Sequence, residues 1–150
     1  MLREKINEDL KTSMKAKDER RVSTLRMINA AIKNAEIEAR GQGKQLSDDD
    51  LMGLLQKMVK QRQESILLYD KGGRAELADR EREEIAIIQG FLPQQMGEDQ
   101  ARAAIAEIIK QEGATSVKDM GRVMAALKAA YAGRMDFAKA SGLVRAMLQG

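Results

Sequence analysis

The sequence contains neither histidine nor cysteine in 150 residues. Nucleophilic catalysis of the Ser-His-Asp or Cys-His type is therefore excluded, because it needs an imidazole to carry protons at neutral pH. Zinc sites built on imidazole or thiolate ligands are excluded because the sequence contains neither ligand. Carboxylates alone could still bind magnesium or calcium, but the densest acidic run, Asp48-Asp49-Asp50, is better explained as the start of a helix. We predict no catalytic residue, no metal site and no cofactor.

Long apolar runs are also missing. Nothing in the sequence approaches the roughly 18 consecutive apolar residues that a membrane-spanning helix requires. Residues 1–17 alternate charged with apolar side chains and lack the apolar core of a signal peptide. The absence of cysteine agrees with a reducing compartment. We therefore expect a soluble protein without membrane contact, located in the cytoplasm.

Aromatic residues make up only 3% of the chain, and there is a single proline. Charged residues make up 33%, and most of the remainder are strong helix formers such as alanine, leucine, methionine and glutamine. With no tryptophan and ten methionines, the core must be aliphatic and filled by adaptable methionine side chains. The composition thus predicts helix throughout.

Apolar residues at three- and four-residue spacing predict seven helices separated by glycines and the one proline. Pro93 cannot continue a helix and disfavours helical geometry in the residue before it, so it marks a domain boundary. The sequence predicts an all-α fold, with an N-terminal four-helix domain over residues 1–92 and a small three-helix domain over residues 93–150. The predicted helices cover residues 2–17, 18–41, 47–71, 74–92, 97–113, 116–133 and the stretch that follows Asp136.

Three helix starts carry capping signals. Ser47 is followed three residues later by Asp50, and Ser116 is followed at the same spacing by Asp119, which is the pattern of a capping box. Asp136 precedes the last apolar face and is a favourable N-cap. Asp48 and Asp49 would lie at the positive end of a helix dipole, which accounts for the acidic run without a metal.

Short motifs form an ordered set along nearly the whole chain. In the first domain the set includes Thr24-Leu25-Arg26, Ala30-Ala31-Ile32-Lys33, Lys60-Gln61-Arg62, Ser65-Ile66, Gly73-Arg74, Leu77-Ala78, Glu81 and Glu84-Ile85. It continues with Phe91-Leu92-Pro93-Gln94-Gln95-Met96, Asp119-Met120-Gly121-Arg122-Val123-Met124 and Gly133-Arg134-Met135-Asp136.

Taken together, these motifs resemble the GatB/YqeY family, in particular its free-standing YqeY-like members. The last third is similar to the C-terminal part of the tRNA-dependent amidotransferase B subunit, which contacts tRNA. The resemblance implies a two-domain helical protein linked to tRNA. The family label that comes with it is carbon–nitrogen ligase activity with glutamine as amido-N-donor, on glutamate or aspartate charged onto tRNA.

The residues themselves do not indicate a catalytic site for that reaction. ATP-dependent activation needs a phosphate-binding loop, and neither a Gly-x-x-x-x-Gly-Lys sequence nor a glycine turn after a strand is present. We therefore interpret the protein as a tRNA-linked accessory module, with tRNA as its expected partner. The alternative is a helical protein–protein adaptor for an aminoacyl-tRNA synthetase or amidotransferase complex, in which Gly121, Ala125 and Ala129 would accept a partner helix.

Positive charge is concentrated in the tail, defined as residues 118–150. It holds six cations and two anions, a net charge of +4, against +3 for the whole chain. Such cations neutralise phosphates and give shape-tolerant, salt-sensitive binding. A second candidate is a stripe of cations on the second helix, Arg26, Lys33 and Arg40, although such stripes are usually solvated surface. The candidate nucleic-acid-binding residues are Lys118, Arg122, Lys128, Arg134, Lys139, Arg145, Arg26 and Lys33.

Arg62 falls within the apolar stripe of the third helix, between Met58 and Tyr69. A buried arginine requires a carboxylate partner or an anionic ligand. We predict that Arg62 pairs with Glu81 or Glu84 on the next helix and that its role is structural.

Overall fold

The computed structural model describes residues 1–149 and confirms the all-α fold class. Over these residues the chain forms seven α-helices and one short 3-10 turn, with no β-strand. The elements are α1 (Leu2–Lys15), α2 (Glu19–Gly41), α3 (Asp48–Lys71), α4 (Ala75–Gln89), α5 (Glu98–Glu112), the 3-10 turn (Val117–Asp119), α6 (Met120–Tyr131) and α7 (Phe137–Gln149).

The chain divides into two compact units, Met1–Pro93 and Gln94–Gly150. Helices α1–α4 belong to the first unit and α5–α7 to the second. Each unit has a separate cluster of buried apolar side chains. The division into a four-helix domain over residues 1–92 and a small three-helix domain over residues 93–150 stays a prediction.

The core of the first unit is aliphatic, as the composition predicts. Its fully buried side chains come from all four helices, and α3 and α4 pack along each other. Half-buried methionines and the half-buried Phe91 surround this core. The largest fully buried aliphatic side chains of this unit are Ile6, Leu25, Ile28, Ile32, Leu55 and Ile88.

The predicted capping contacts are present. Asp50 N–H donates to Ser47 Oγ at 3.2 Å, and Ser47 N–H donates to Asp50 Oδ2 at 2.9 Å. The N–H groups of Ala138 and Lys139 both donate to Asp136 Oδ1, at 3.0 and 3.2 Å. These bonds satisfy helix N–H groups that have no partner within the helix.

Two helix boundaries differ from the prediction by three residues or more. Helix α4 ends at Gln89 instead of Leu92, because Phe91 and Leu92 donate to carbonyls only three residues back and Pro93 prevents any continuation. The segment after Ser116 first forms the 3-10 turn, so α6 begins at Met120. There the Asp119 carboxylate accepts from the N–H groups of Thr115 and Ser116, which fixes the turn.

An ion pair joins α1 to α2. Arg21 donates through Nε to Asp9 Oδ1 at 2.9 Å and through Nη2 to Asp9 Oδ2, and Ser13 Oγ donates to the same carboxylate. The Arg21 hydrogen bond is the main reason that the pKa of Asp9 lies below its usual value. Since the pKa is lowered by folding, the pair stabilises the fold above the unfolded-state pKa and loses this effect as pH falls through the folded-state pKa.

We expect Asp9→Asn to lower the free energy of unfolding at pH 7 by about 1 kcal/mol, a modest value because water screens the pair. The difference from the parent protein should shrink as pH falls below about 4, because the Asp9 carboxylate of the unfolded parent takes up a proton there while the folded-state carboxylate, with its lowered pKa, is still ionised. Urea unfolding at several pH values measures this. Glu8→Gln, at the exposed neighbouring position, is the control with little expected effect. An equal loss at pH 3 and pH 7 would contradict the ionic origin.

The second unit is closed by its turns. Its buried core includes Ile105, Val123, Leu127 and Val144. Gly133 has φ +77°, a backbone conformation that residues with a Cβ rarely adopt, and it turns the chain between α6 and α7. The segment before α5 pairs with this turn: Gln95 Nε2 donates to the Gly133 carbonyl at 2.6 Å, and Met96 N–H donates to the Arg134 carbonyl at 2.9 Å.

Two further features are absent from the part of the chain that the structure describes. None of its helices combines the length and apolar character needed to cross a membrane. Over the same residues, no group of three or more acidic side chains is arranged to hold a metal ion.

Candidate nucleic-acid interface

The first part of the candidate interface is the 3-10 turn with α6. Lys118 and Arg122 are exposed, and so are the small residues Gly121, Ala125 and Ala129 on the same side of the helix. The opposite side carries Val123 and Leu127, which are buried in the core. This face is therefore smooth and basic, and a phosphate backbone could approach it closely.

Helix α7 repeats this arrangement. Lys139 and Arg145 are exposed, with Gly142 and Ala146 between and beside them on the exposed side. Ala140, Val144 and Leu148 form the buried side of the helix. Both helices of the tail thus present cations among small side chains.

Two of the six tail cations take part in contacts within the unit. Arg122 Nη2 lies 3.5 Å from Asp119 Oδ1. Backbone N–H groups of Thr115 and Ser116, with a smaller effect of Arg122, hold the pKa of Asp119 below its usual value, so this carboxylate is ionised at neutral pH. Arg134 is half-buried, with its guanidinium carbon 5.8 Å from the centre of the Tyr131 ring and its Nε donating to the Gln94 carbonyl at 3.3 Å.

The other four tail cations are exposed. Lys118, Lys128, Lys139 and Arg145 form no ion pair with any residue among 1–149. By contrast, Arg122 is paired with Asp119, and Arg134 contacts the Tyr131 ring and the Gln94 carbonyl. No sequence pattern separates these two cations from the other four. The structure therefore makes these four the strongest candidates for contact with an external anion.

Charge is segregated within the second unit. Helix α5 carries four carboxylates and two cations, a net charge of −2, whereas the tail carries +4. A polyanion would be attracted to α6 and α7 and repelled by α5. The charges can be counted in the sequence, but their separation onto different helices follows only from the helix bounds.

The candidates of the first unit lie on α2. Arg26 and Lys33 are exposed, and each is separated from the next cation of the stripe by seven residues. Arg40, the last member, lines a cleft together with Arg3 and Lys44. Sequence reasoning missed the latter two, because no local pattern connects position 3 with positions 40 and 44.

Arg62 pairs as predicted. Its Nε lies 3.0 Å from Glu84 Oε2 and 3.8 Å from Glu81 Oε2. Its other nitrogens donate to the Met58 carbonyl at 3.0 Å and to the Met27 sulfur at 2.8 Å, so one side chain joins α2, α3 and α4. With these contacts made inside the unit, Arg62 has a structural role.

These features describe a helical protein of two compact units whose last two helices carry exposed positive charge. Residues 3–148 match the family of Yqey-like proteins. Because the match covers almost the entire chain, the protein belongs to this family, and the resemblance inferred from the motifs is confirmed.

Several curated relatives are fungal proteins named "Altered inheritance of mitochondria protein 41, mitochondrial". That of Lachancea thermotolerans is 43% identical over 89 residues, which are 59% of this chain and 46% of the relative. That of Vanderwaltozyma polyspora is 31% identical over 122 residues, 77% of this chain and 64% of the relative. That of Pyrenophora tritici-repentis is 29% identical over 129 residues, 83% of this chain and 70% of the relative. In the first two cases the chain spans less than two thirds of the relative's length.

The names of these relatives correct the predicted location. All three are called mitochondrial, so they point to mitochondria and the expectation of a cytoplasmic protein is wrong. The prediction relied on the lack of a recognisable targeting segment in residues 1–17. The residues of that segment do not indicate where the relatives reside.

Proposed function

We propose that this protein is a tRNA-linked accessory protein that binds the tRNA backbone through α6 and α7. The observation that carries the proposal is the set of four exposed, unpaired tail cations, Lys118, Lys128, Lys139 and Arg145. The resemblance of the tail to the tRNA-contacting part of the amidotransferase B subunit supports tRNA over other polyanions. In this proposal the carbon–nitrogen ligase activity is that of an amidotransferase, which this protein assists. Its protein partners are a synthetase or amidotransferase subunits.

The physical basis is neutralisation of phosphates. Each lysine or arginine that contacts a phosphate releases condensed counterions, which makes the affinity strongly dependent on salt. The exposed glycine and alanine residues beside the cations have no bulky side chain that would hold the tRNA backbone away from the helices. Contacts of this kind read the shape of a folded RNA more than its sequence.

The experiment compares tRNA binding by the full chain and by a variant with Lys118→Glu, Lys128→Glu, Lys139→Glu and Arg145→Glu. We expect the variant to bind tRNA at least about 100-fold more weakly at low salt. The plot of log affinity against log salt has a negative slope, and its magnitude should decrease by about 3, the value for four lost phosphate contacts. Filter binding or fluorescence anisotropy across a salt series measures both quantities.

A matched control reverses four exposed lysines of the first unit, Lys5, Lys11, Lys15 and Lys57. Its net charge equals that of the tail variant, so a difference between them reports position and not total charge. Unchanged binding by the tail variant, or an equal loss in the control, would overturn the proposal.

A second candidate function is the protein–protein adaptor. The observation that favours it is the exposure of Gly121, Ala125 and Ala129 on one side of α6, where a partner helix could approach closely. Ala125→Leu with Ala129→Leu would block such an approach while keeping every charge. An adaptor should lose a synthetase or amidotransferase subunit from nuclease-treated pull-downs in this variant. A tRNA-binding protein should bind tRNA more weakly in the variant but keep its steep salt dependence, because the charges are unchanged.

A further inference from the structure

A cleft of about 530 Å³ lies in the first unit. It is formed by the start of α1, the end of α2 and the segment that leads to α3. Its volume is within the range of about 300–1,000 Å³ that is usual for small-molecule sites. The lining residues are Arg3, Glu36, Arg40, Lys44, Gln45 and Leu46.

The turn after α2 builds one wall of this cleft. Gly43 has φ +71°, and its N–H donates to the Arg40 carbonyl at 3.1 Å. Lys44 N–H then donates to the Ala39 carbonyl at 2.8 Å. The chain is thus folded back on the helix end, which places Lys44 and Gln45 beside Arg40.

The cleft carries a net positive charge. Three of its lining side chains are cations and one is an anion, a net charge of +2. Glu36 is already bound by the Arg3 guanidinium, so Arg40 and Lys44 provide the excess charge. The Gln45 amide adds a neutral hydrogen-bond donor.

We propose that this cleft binds the phosphate group of a small phosphorylated molecule. A dianionic phosphate matches the excess charge of +2, and arginine with lysine is a usual combination for its oxygens. A concave site favours a discrete ligand over an extended polyanion. Leu46 is the only apolar residue in the lining and none of the lining residues is aromatic, so the phosphate, and not a stacked ring, provides the recognition.

The experiment follows backbone amide resonances of the full chain during titration with inorganic phosphate and, separately, with glucose 6-phosphate. We expect saturable shifts at Arg40, Lys44 and Gln45, with a Kd of about 1 mM or tighter for at least one of the two probes. Tighter binding of the sugar phosphate identifies a phosphate monoester as the ligand type, and equal binding identifies free phosphate.

Two variants and a control make the test specific. Arg40→Ala with Lys44→Ala should weaken binding at least about tenfold, whereas Glu36→Gln should strengthen it by removing the only carboxylate. Lys15→Ala with Lys57→Ala removes two exposed cations of the first unit that do not line the cleft, and it should leave phosphate binding unchanged. The proposal is overturned if neither probe saturates or if the control loses binding equally.

Discussion

Replacing Arg62 with methionine is expected to lower the free energy of unfolding by about 2–3 kcal/mol at pH 7. Methionine keeps most of the hydrocarbon length but removes the guanidinium that Glu84 and Glu81 face. The side chains of Arg62 and Glu84 are only 12% and 14% exposed, so water replaces little of the lost interaction. The estimate lies below the 3–5 kcal/mol of a fully buried pair because some exposure remains.

The electrostatics of this cluster give the loss a definite pH dependence. Burial and the neighbouring Glu84 raise the pKa of Glu81, while Arg62 acts in the opposite direction. Without Arg62 the Glu81 carboxylate is more costly to ionise inside the fold. In the variant, the folded-state pKa of Glu81 then lies further above its unfolded-state value. The stability of the variant is therefore retained at low pH and lost as pH rises through the folded-state pKa of Glu81. The deficit of the variant should therefore shrink below about pH 5.

Urea unfolding across this pH range measures the effect. Arg80→Met is the matched control, because Arg80 Nε also approaches Glu84, at 3.9 Å, but its side chain is exposed. We expect a change of less than about 0.5 kcal/mol there. Adding Glu81→Gln and Glu84→Gln to Arg62→Met should recover much of the lost stability. The single variant should also bind tRNA as the parent does; weaker binding with an unchanged unfolding curve would contradict the structural role.

Arg62 also illustrates what the sequence can predict. A cation inside an apolar stripe needs a partner, and the next helix offered two glutamates at suitable positions, so the ion pair could be inferred. The bond from Arg62 to the Met27 sulfur could not, since it depends on how α2 packs against α3. Local rules predicted helices and caps well because they involve residues three or four apart, as at Ser47 and Asp50.

The candidate interface was predictable as a concentration of charge, but not residue by residue. Arg134 and Lys139 look alike in the sequence, yet the first donates to the Gln94 carbonyl and the second is exposed. The cleft of the first unit was not predictable at all. It depends on a contact between Arg3 and Glu36, far apart in sequence, and on the positive φ of Gly43.

Replacing Leu127 with alanine is expected to unfold much of the second unit. Leu127 is completely buried among Ile105, Val123 and Val144, and truncation at such a site costs about 2–5 kcal/mol. A unit of 57 residues has a total stability of only about 3–8 kcal/mol. The loss is thus a large part of what holds α6 and α7 in place.

Hydrogen exchange followed by mass spectrometry can locate this loss. Amides of α5, α6 and α7 should exchange much faster in Leu127→Ala, whereas those of the first unit should keep their protection, because the two buried clusters share no residue. Lys128→Ala, at the exposed adjacent position, is the control and should stay within about 0.5 kcal/mol of the parent. Equal protection of the tail amides in Leu127→Ala and the parent would show that Leu127 is not central to this core.

The same variant connects stability to the proposed function. The four exposed tail cations are spread over the 3-10 turn, α6 and α7, and α6 and α7 pack on a common core. If tRNA is bound by the folded arrangement of charges, Leu127→Ala should weaken binding although no charge has changed. If binding is unaffected while the tail has lost its protection, the cations act as an unstructured basic segment, and the smooth faces of α6 and α7 have no part in recognition.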